Sequence, residues 1–175
     1  APNCQFPPAP FLLARRMRRF FLLFTALILA GCTTLFKTDP LEGLTAIYTW
    51  TAKGQMVFQC AMDDEGLYWQ FLFPQGKLYN DQGRFEGELL PDFGVKARDG
   101  SAASARIVEQ KEANSPRDLK PALFEATGSL RGTMKNLRYI ERRYAKGGMP
   151  QTKCSPSQRG KRLYVPFTAR YIFYR

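Results

Sequence analysis

Residues 162–174 read Arg-Leu-Tyr-Val-Pro-Phe-Thr-Ala-Arg-Tyr-Ile-Phe-Tyr, and their alternation decides the fold class. Leu163, Val165, Phe167, Ala169, Tyr171 and Phe173 fall on one face of an extended strand. Arg162, Tyr164, Thr168, Arg170 and Tyr174 fall on the other, with Ile172 as the exception. A period of two belongs to a strand with one face buried and one face wet. Pro166 cannot donate to a ladder, so this strand starts at a sheet edge or carries a bulge.

The same pattern recurs upstream. Met56, Phe58 and Cys60 share a face opposite Gln55 and Gln59, which aims Cys60 inward. Leu67, Trp69, Phe71 and Phe73 form another apolar face. Turn signals divide the runs. Lys53-Gly54 separates a strand at 45–52 from one at 55–61, and Asp63-Asp64-Glu65-Gly66 makes the next turn. Asn80-Asp81-Gln82-Gly83 follows 77–79, and Arg98-Asp99-Gly100-Ser101 separates 95–97 from a strand near 103–109. Asn114-Ser115-Pro116-Arg117-Asp118 makes a longer loop, with room for a helical turn within 112–120. Strands near 122–129 and 134–143 precede Gly147-Gly148. Many short strands with frequent turns predict an all-β domain over 41–175, an antiparallel sandwich or barrel. A composition 45% hydrophobic and 14% aromatic supplies a core for it.

The first segment is of another kind. Arg15, Arg16, Arg18 and Arg19 precede an apolar run from Phe20 to Ala30, 11 residues long. A spanning helix needs about 20 residues. A basic stretch followed by a short apolar stretch is the pattern of a secretory signal, here a signal-peptide helix. Leu29-Ala30-Gly31-Cys32 resembles a bacterial lipobox. That resemblance implies diacylglycerol on the Cys32 sulfur, cleavage before Cys32 and acylation of the new amino terminus. Buried chains anchor at about 0.8 kcal/mol per methylene. Thr33 in place of an aspartate implies the outer membrane, facing the periplasm. Met17 is the expected start, with 17–31 as the signal and 32–40 as lipidated cysteine and tether. Residues 1–16, rich in proline, are then an over-extended or disordered stretch. Arg18-Arg19-Phe20-Phe21-Leu22 faintly resembles a twin-arginine signal, and the strong apolar run favours ordinary export instead.

Export sorts the cysteines. Cys4 lies before the expected start and Cys32 is the lipid site. Cys60 and Cys154 remain, in an oxidising compartment where a disulfide is the expected state. The alternative is a reactive thiol or half a metal site, with no histidine or second nearby cysteine to help. Charge changes too. Four of the 26 Lys and Arg precede Cys32 and none of the 15 Asp and Glu do, so the mature form carries 22 − 15 = +7. Such a surface suits an anionic envelope component. Arg142, Arg143 and Lys146 are the candidate anion-binding cluster. The compartment and the absence of any RNA- or DNA-binding motif argue against a nucleic-acid partner.

Further motifs carry a family resemblance. They are Val57-Phe58-Gln59-Cys60, Trp69-Gln70-Phe71, Asp99-Gly100-Ser101, Leu137-Arg138-Tyr139-Ile140-Glu141-Arg142, Gly147-Gly148-Met149-Pro150, Cys154 and the stretch 165–174. In this order they resemble the exported domain-of-unknown-function family 3455. The resemblance implies an all-β exported domain and supports pairing Cys60 with Cys154. Some relatives carry a malate dehydrogenase label. This chain has neither a Gly-rich dinucleotide loop after a strand nor a βαβ rhythm. It also departs from the family's Gly-x-His-x-x-Gly-Pro-x-Trp stretch. Gly87 matches, but Leu89, Asp92, Phe93 and Val95 replace His, Gly, Pro and Trp. No functional residue is carried over from it.

Chemistry is sparse. The chain has no histidine, which removes the commonest general base and metal ligand. Ser101 and Ser104 therefore have no histidine to activate them. Asp63, Asp64 and Glu65 sit together in one turn as solvated hairpin residues and a weak calcium set. Trp50 and Trp69 are core or rim aromatics. No catalytic residue, metal set or cofactor is assigned. The expected function is non-enzymatic binding or structural support in the envelope. The rivals are a hydrolase on cell-wall or glycan material, marked by two convergent carboxylates, and a small-ligand carrier, marked by an open apolar cavity.

Overall fold

The computed structural model describes residues 39–175. The expected signal at 17–31, the stretch 1–16, Cys32 and all but the end of the tether lie outside the described residues. The alternating runs form eight strands: β1 (Ala46–Asp63), β2 (Gly66–Tyr79), β3 (Phe85–Leu89), β4 (Val95–Ala97), β5 (Ala102–Gln110), β6 (Ala122–Gly128), β7 (Tyr139–Gly147) and β8 (Arg162–Tyr174). Each pairs antiparallel with its neighbour in sequence, and β8 returns to β1, so one sheet closes into a barrel. Of the two expected forms, the barrel is the one adopted. Its closing strand is β1, whose residues from Thr51 to Gln59 are paired with β2 on one side and β8 on the other. Closure removes unpaired edges wherever neighbouring strands run side by side. Among the described residues the one helical element is a 3₁₀ turn at Pro156–Gln158, and no helix is long and apolar enough to cross a membrane.

Three local expectations are corrected. Lys53-Gly54 is not a turn but the middle of β1. Gly54 faces Gly76 of β2, and a Cβ at Gly54 would lie 2.1 Å from the Gln75 carbonyl oxygen. The glycine marks a close approach of two backbones within the sheet rather than a reversal. The strand placed near 134–143 begins only at Tyr139. Before it, Gly132 and Asn136 take left-handed φ values of 75° and 55°, which no strand accommodates. The stretch 112–120 forms turns and a bridge, not a helical turn. Pro166 behaves as its chemistry requires. It pairs with Gln55 on β1 and lies just past the last β7 pair, Gly147 with Phe167, so its missing N–H interrupts no ladder there.

The interior is filled by side chains from every strand. Met56, Leu78, Phe124, Ile140 and Phe173 are each 1% exposed or less. Ala52, Ala97, Ala103, Ala122, Ala126 and Ala169 are also buried, and their small size makes room for the large rings opposite. Each buried large side chain stabilises the fold by about 1.5–3 kcal/mol.

One end of the barrel is closed by the β6–β7 connection. Met134 and Leu137 insert there, near the end where Trp50 meets Phe173 at 4.7 Å between ring centroids. The connection is pinned by Asp99 of the β4–β5 turn. Its carboxylate accepts hydrogen bonds from Ser101 N and Oγ at 2.9 and 2.6 Å, and from Thr133 N and Oγ1 at 2.7 and 2.9 Å. These donors, led by the Ser101 hydroxyl, hold Asp99 well below the usual carboxylate range. Ser101 Oγ in turn accepts from Met134 N at 3.1 Å. Ser101 is thus a structural hydroxyl.

Candidate binding site at the arm end of the barrel

The opposite end is built from a longer element. β2 pairs with β1 from Gly66 to Tyr79, but with β3 only from Gly76 onward. Residues 46–63 and 66–79 therefore form a hairpin whose outer part, the arm, runs past β3. The arm is tied down by the Cys60–Cys154 disulfide, which spans 94 residues of sequence. In the chain-entropy model a loop of that order contributes up to about 4.7 kcal/mol. The ladder also continues past β8, since Cys60 N donates to the Lys161 carbonyl and Gly160 N donates to the Cys60 carbonyl.

A row of rings runs from the arm into the barrel. Phe58 and Phe71, cross-strand partners, meet edge-on at 5.7 Å. Phe71 stacks on Phe93 at 5.5 Å, and Phe93 meets Phe124 at 5.6 Å. Phe93 sits in the tight turn 90–94 with φ 65°, a left-handed conformation that costs a bulky residue about 1–2 kcal/mol. It persists because its ring is held between Phe71 and Phe124, while Gly94 N donates to Asp92 Oδ1 at 3.0 Å to close the turn. Phe93 thus joins the arm to the core.

The row ends on Arg142, the one buried polar or charged residue among the described residues. Its guanidinium lies 5.4 Å from the Phe124 centroid. Nε and Nη2 donate to the Lys120 carbonyl at 3.2 and 2.9 Å. Tyr171 is its register partner on β8, and burial pushes that phenol's pKa up against the pull of Arg142. Arg142 is 3% exposed and forms no salt bridge among the described residues; its charge is met by a carbonyl dipole and a ring face.

The candidate anion cluster is therefore split by the pleat. Arg142 faces inward. Arg143 faces outward, and its Nε donates to Glu141 Oε1 at 2.6 Å. Lys146 lies beyond a register shift and stands 3.7 Å from Asp118 Oδ2. The structure does not bring the three together. Asp63, Asp64 and Glu65 cap the arm tip, where Asp63 Oδ1 accepts from Glu65 N at 2.9 Å. Ser104 lies on the outer wall beside Arg106 and Glu125.

An open groove of about 340 Å³ lies between Tyr68 and Trp69 on the arm and the loop 149–153, with Phe58 beneath it. Tyr68, Phe71 and Met149 are more than a third exposed. Exposed apolar rings around a concave surface mark a contact site better than scattered ones do. Two features of this end escape the sequence reading: the role of Phe93 and the inward aim of Arg142. Ile140, two residues before Arg142 and so on the same face of β7, carried the second signal: an apolar residue there marks the inward face, and Ile140 is fully buried.

Residues 40–175 match the model of the family described as "Protein of unknown function (DUF3455)". The chain belongs to the DUF3455 family. No curated protein and no solved structure matches it. The stretch in which this DUF3455 chain departs from the family resemblance is the β3–β4 hairpin. Leu89 and Val95 face each other across it, both buried in the barrel. Gly87 is retained for space, because a Cβ there would lie 2.4 Å from the Lys96 carbonyl oxygen. The DUF3455 barrel contains no βαβ unit among its described residues, so the dinucleotide fold of a malate dehydrogenase is not formed there.

Proposed function

We propose that this DUF3455 chain is a non-enzymatic binding domain of the bacterial envelope. Lipid on Cys32 holds it at the outer membrane, facing the periplasm, and it binds through the arm end of its barrel. The observation that carries the reading is the contrast between interior and rim. The interior is packed with side chains and its one buried charge is engaged in place. The rim at the arm end sets exposed Tyr68 and Met149 around an open groove and leaves Phe71 partly exposed on the face that carries Trp69. A carrier would need space inside for its cargo. A glycan hydrolase would need two facing carboxylates about 5–9.5 Å apart. The filled interior favours binding at the rim over cargo held inside, and turnover on glycan is the outcome that would favour such a carboxylate pair.

Two measurements test the reading. Intact mass of the chain from a Gram-negative host should show cleavage before Cys32 and added acyl chains; an uncleaved, unlipidated chain would remove the anchor. Purified protein assayed on cell-wall and glycan material should give no turnover. A reproducible turnover would remove the non-enzymatic reading.

A further inference from the structure

The outer part of β2 is a strand with one free side. Between residues 66 and 75 it is paired with β1 alone, because β3 joins only at Gly76. Among the described residues no loop backbone group hydrogen-bonds to a backbone group of 66–75; the loop contact there is Cys154 Sγ, 3.2 Å from the Tyr68 carbonyl oxygen. Half of the N–H and C=O groups on such a strand point away from its one neighbour. Edges of this kind are normally blunted by charge, proline or a covering loop. Here the run Leu67-Tyr68-Trp69-Gln70-Phe71-Leu72-Phe73-Pro74-Gln75-Gly76 carries no charge at all. Pro74 interrupts only the barrel end and is itself buried. The composition matches a strand that is used rather than one that is guarded.

The ends of the run define a partner. At the arm tip lie Asp63, Asp64 and Glu65, and no Lys or Arg forms a salt bridge with them among the described residues. A second copy of this chain complements that tip poorly. Antiparallel self-pairing over the whole free edge, with Gly66 opposite Gln75, gives only Asp64 a cation, Lys77, and leaves Asp63 and Glu65 opposite Leu78 and Gly76; parallel self-pairing sets acids opposite acids. A foreign strand carrying a cation where it passes the tip satisfies both the ladder and the charge.

We propose that the free edge of β2 takes up an extended polypeptide segment of another protein as an added strand. The segment alternates apolar and polar residues and carries Lys or Arg beside the arm tip. Its backbone pairs with 66–73, and its apolar side chains join the face that presents Trp69 and Phe71. This deepens the binding reading given above and rests on it, since it names the partner class for the arm end.

The test uses the full chain in detergent micelles with three synthetic peptides of about eight residues, the length of an ordinary strand. The first alternates Val and Thr and ends in Lys. The second ends in Glu instead. The third is the Lys peptide with alternate amides methylated. Residue-resolved hydrogen exchange and titration are the readouts. The Lys peptide should slow exchange within 66–73 at least about fivefold. The Glu peptide should bind about threefold to fivefold more weakly, with the gap narrowing in salt. The methylated peptide should give no protection, because it cannot complete the ladder. Gln70 is exposed, so Gln70→Lys should weaken binding while leaving the fold intact; Asp64→Lys, which takes the tip from three negative charges to a net of one, should narrow the preference between the Lys and Glu peptides. Strand addition is overturned by equal affinity for all three peptides, by protection outside the arm, or by dimerisation of the free chain through this edge. Adsorption to vesicles that protects 66–73 without peptide would also overturn it. Protection confined to the 149–153 groove would sink strand addition and leave the binding reading standing, whereas loss of the Cys32 lipid would sink the anchor alone.

Discussion

The barrel is closed at both ends, but by different chemistry. At one end an exposed carboxylate, Asp99, gathers donors from Ser101 and Thr133 and lays Met134 and Leu137 over the core. At the other end the row Phe58, Phe71, Phe93 and Phe124 does the closing, secured by the Cys60–Cys154 disulfide. The first end satisfies its polar groups locally. The second leaves apolar rings, a groove and an unpaired strand edge at the surface. Closure is common to both, so what differs is what remains available to a partner.

The contrast breaks most severely at Phe124, which is fully buried and contacts both Phe93 and Arg142. Phe124→Ala should cost about 3–5 kcal/mol in denaturant unfolding. Removing the disulfide with Cys60→Ala and Cys154→Ala together should cost about 2–5 kcal/mol. It should release the arm while the Asp99 end keeps its amide protection. Phe93→Gly relieves a left-handed backbone but loses two ring contacts. The net cost should be about 1–2 kcal/mol, read by the same unfolding measurement, with faster exchange in the arm.

Two effects of pH sharpen the comparison further. Tyr174 is pushed up to about 12, first by burial and then by the hydrogen bond it donates to Glu141 Oε2 at 2.9 Å. Its folded value lies above its unfolded one, so its contribution is complete below about pH 10 and is lost as pH rises from there. Tyr174→Phe should flatten that alkaline loss in thermal melts. Asp99 behaves in the opposite sense. Its folded value is depressed, so its contribution is present above the ordinary carboxylate range and fades as acid protonates it. Asp99→Asn should have the smallest effect, a lowered melting temperature at neutral pH that converges with the parent in strong acid.

The wall of the barrel was legible where alternation was clean. The stretch 162–174 gave an inward face that the fold buries at Phe167, Ala169, Tyr171 and Phe173. The turns at 63–66, 80–83 and 98–101 were legible because glycine with Asp or Asn has few other uses there. Lys53-Gly54 misled because a glycine that permits close strand contact looks the same in sequence as one that permits a turn. The onset of β7 misled because Met134 and Leu137 are apolar for capping the barrel rather than for alternation. The sequence could not reveal the free edge, since it depends on β3 being shorter than β2. The split of Arg142 from Arg143 followed from the period of two, but charge density drew attention to the cluster as a unit.

The most direct test of the difference between the ends is residue-resolved amide exchange on the full chain in detergent, with no partner added. Every second amide between Gly66 and Phe73 should exchange freely while its neighbours, bonded to β1, stay protected. The Ser101 and Thr133 amides, held by Asp99, should stay protected throughout. On reduction of the disulfide, loss of protection should spread through the arm and stop short of the Asp99 end. Uniform protection along 66–73, or equal loss at both ends on reduction, would contradict the account.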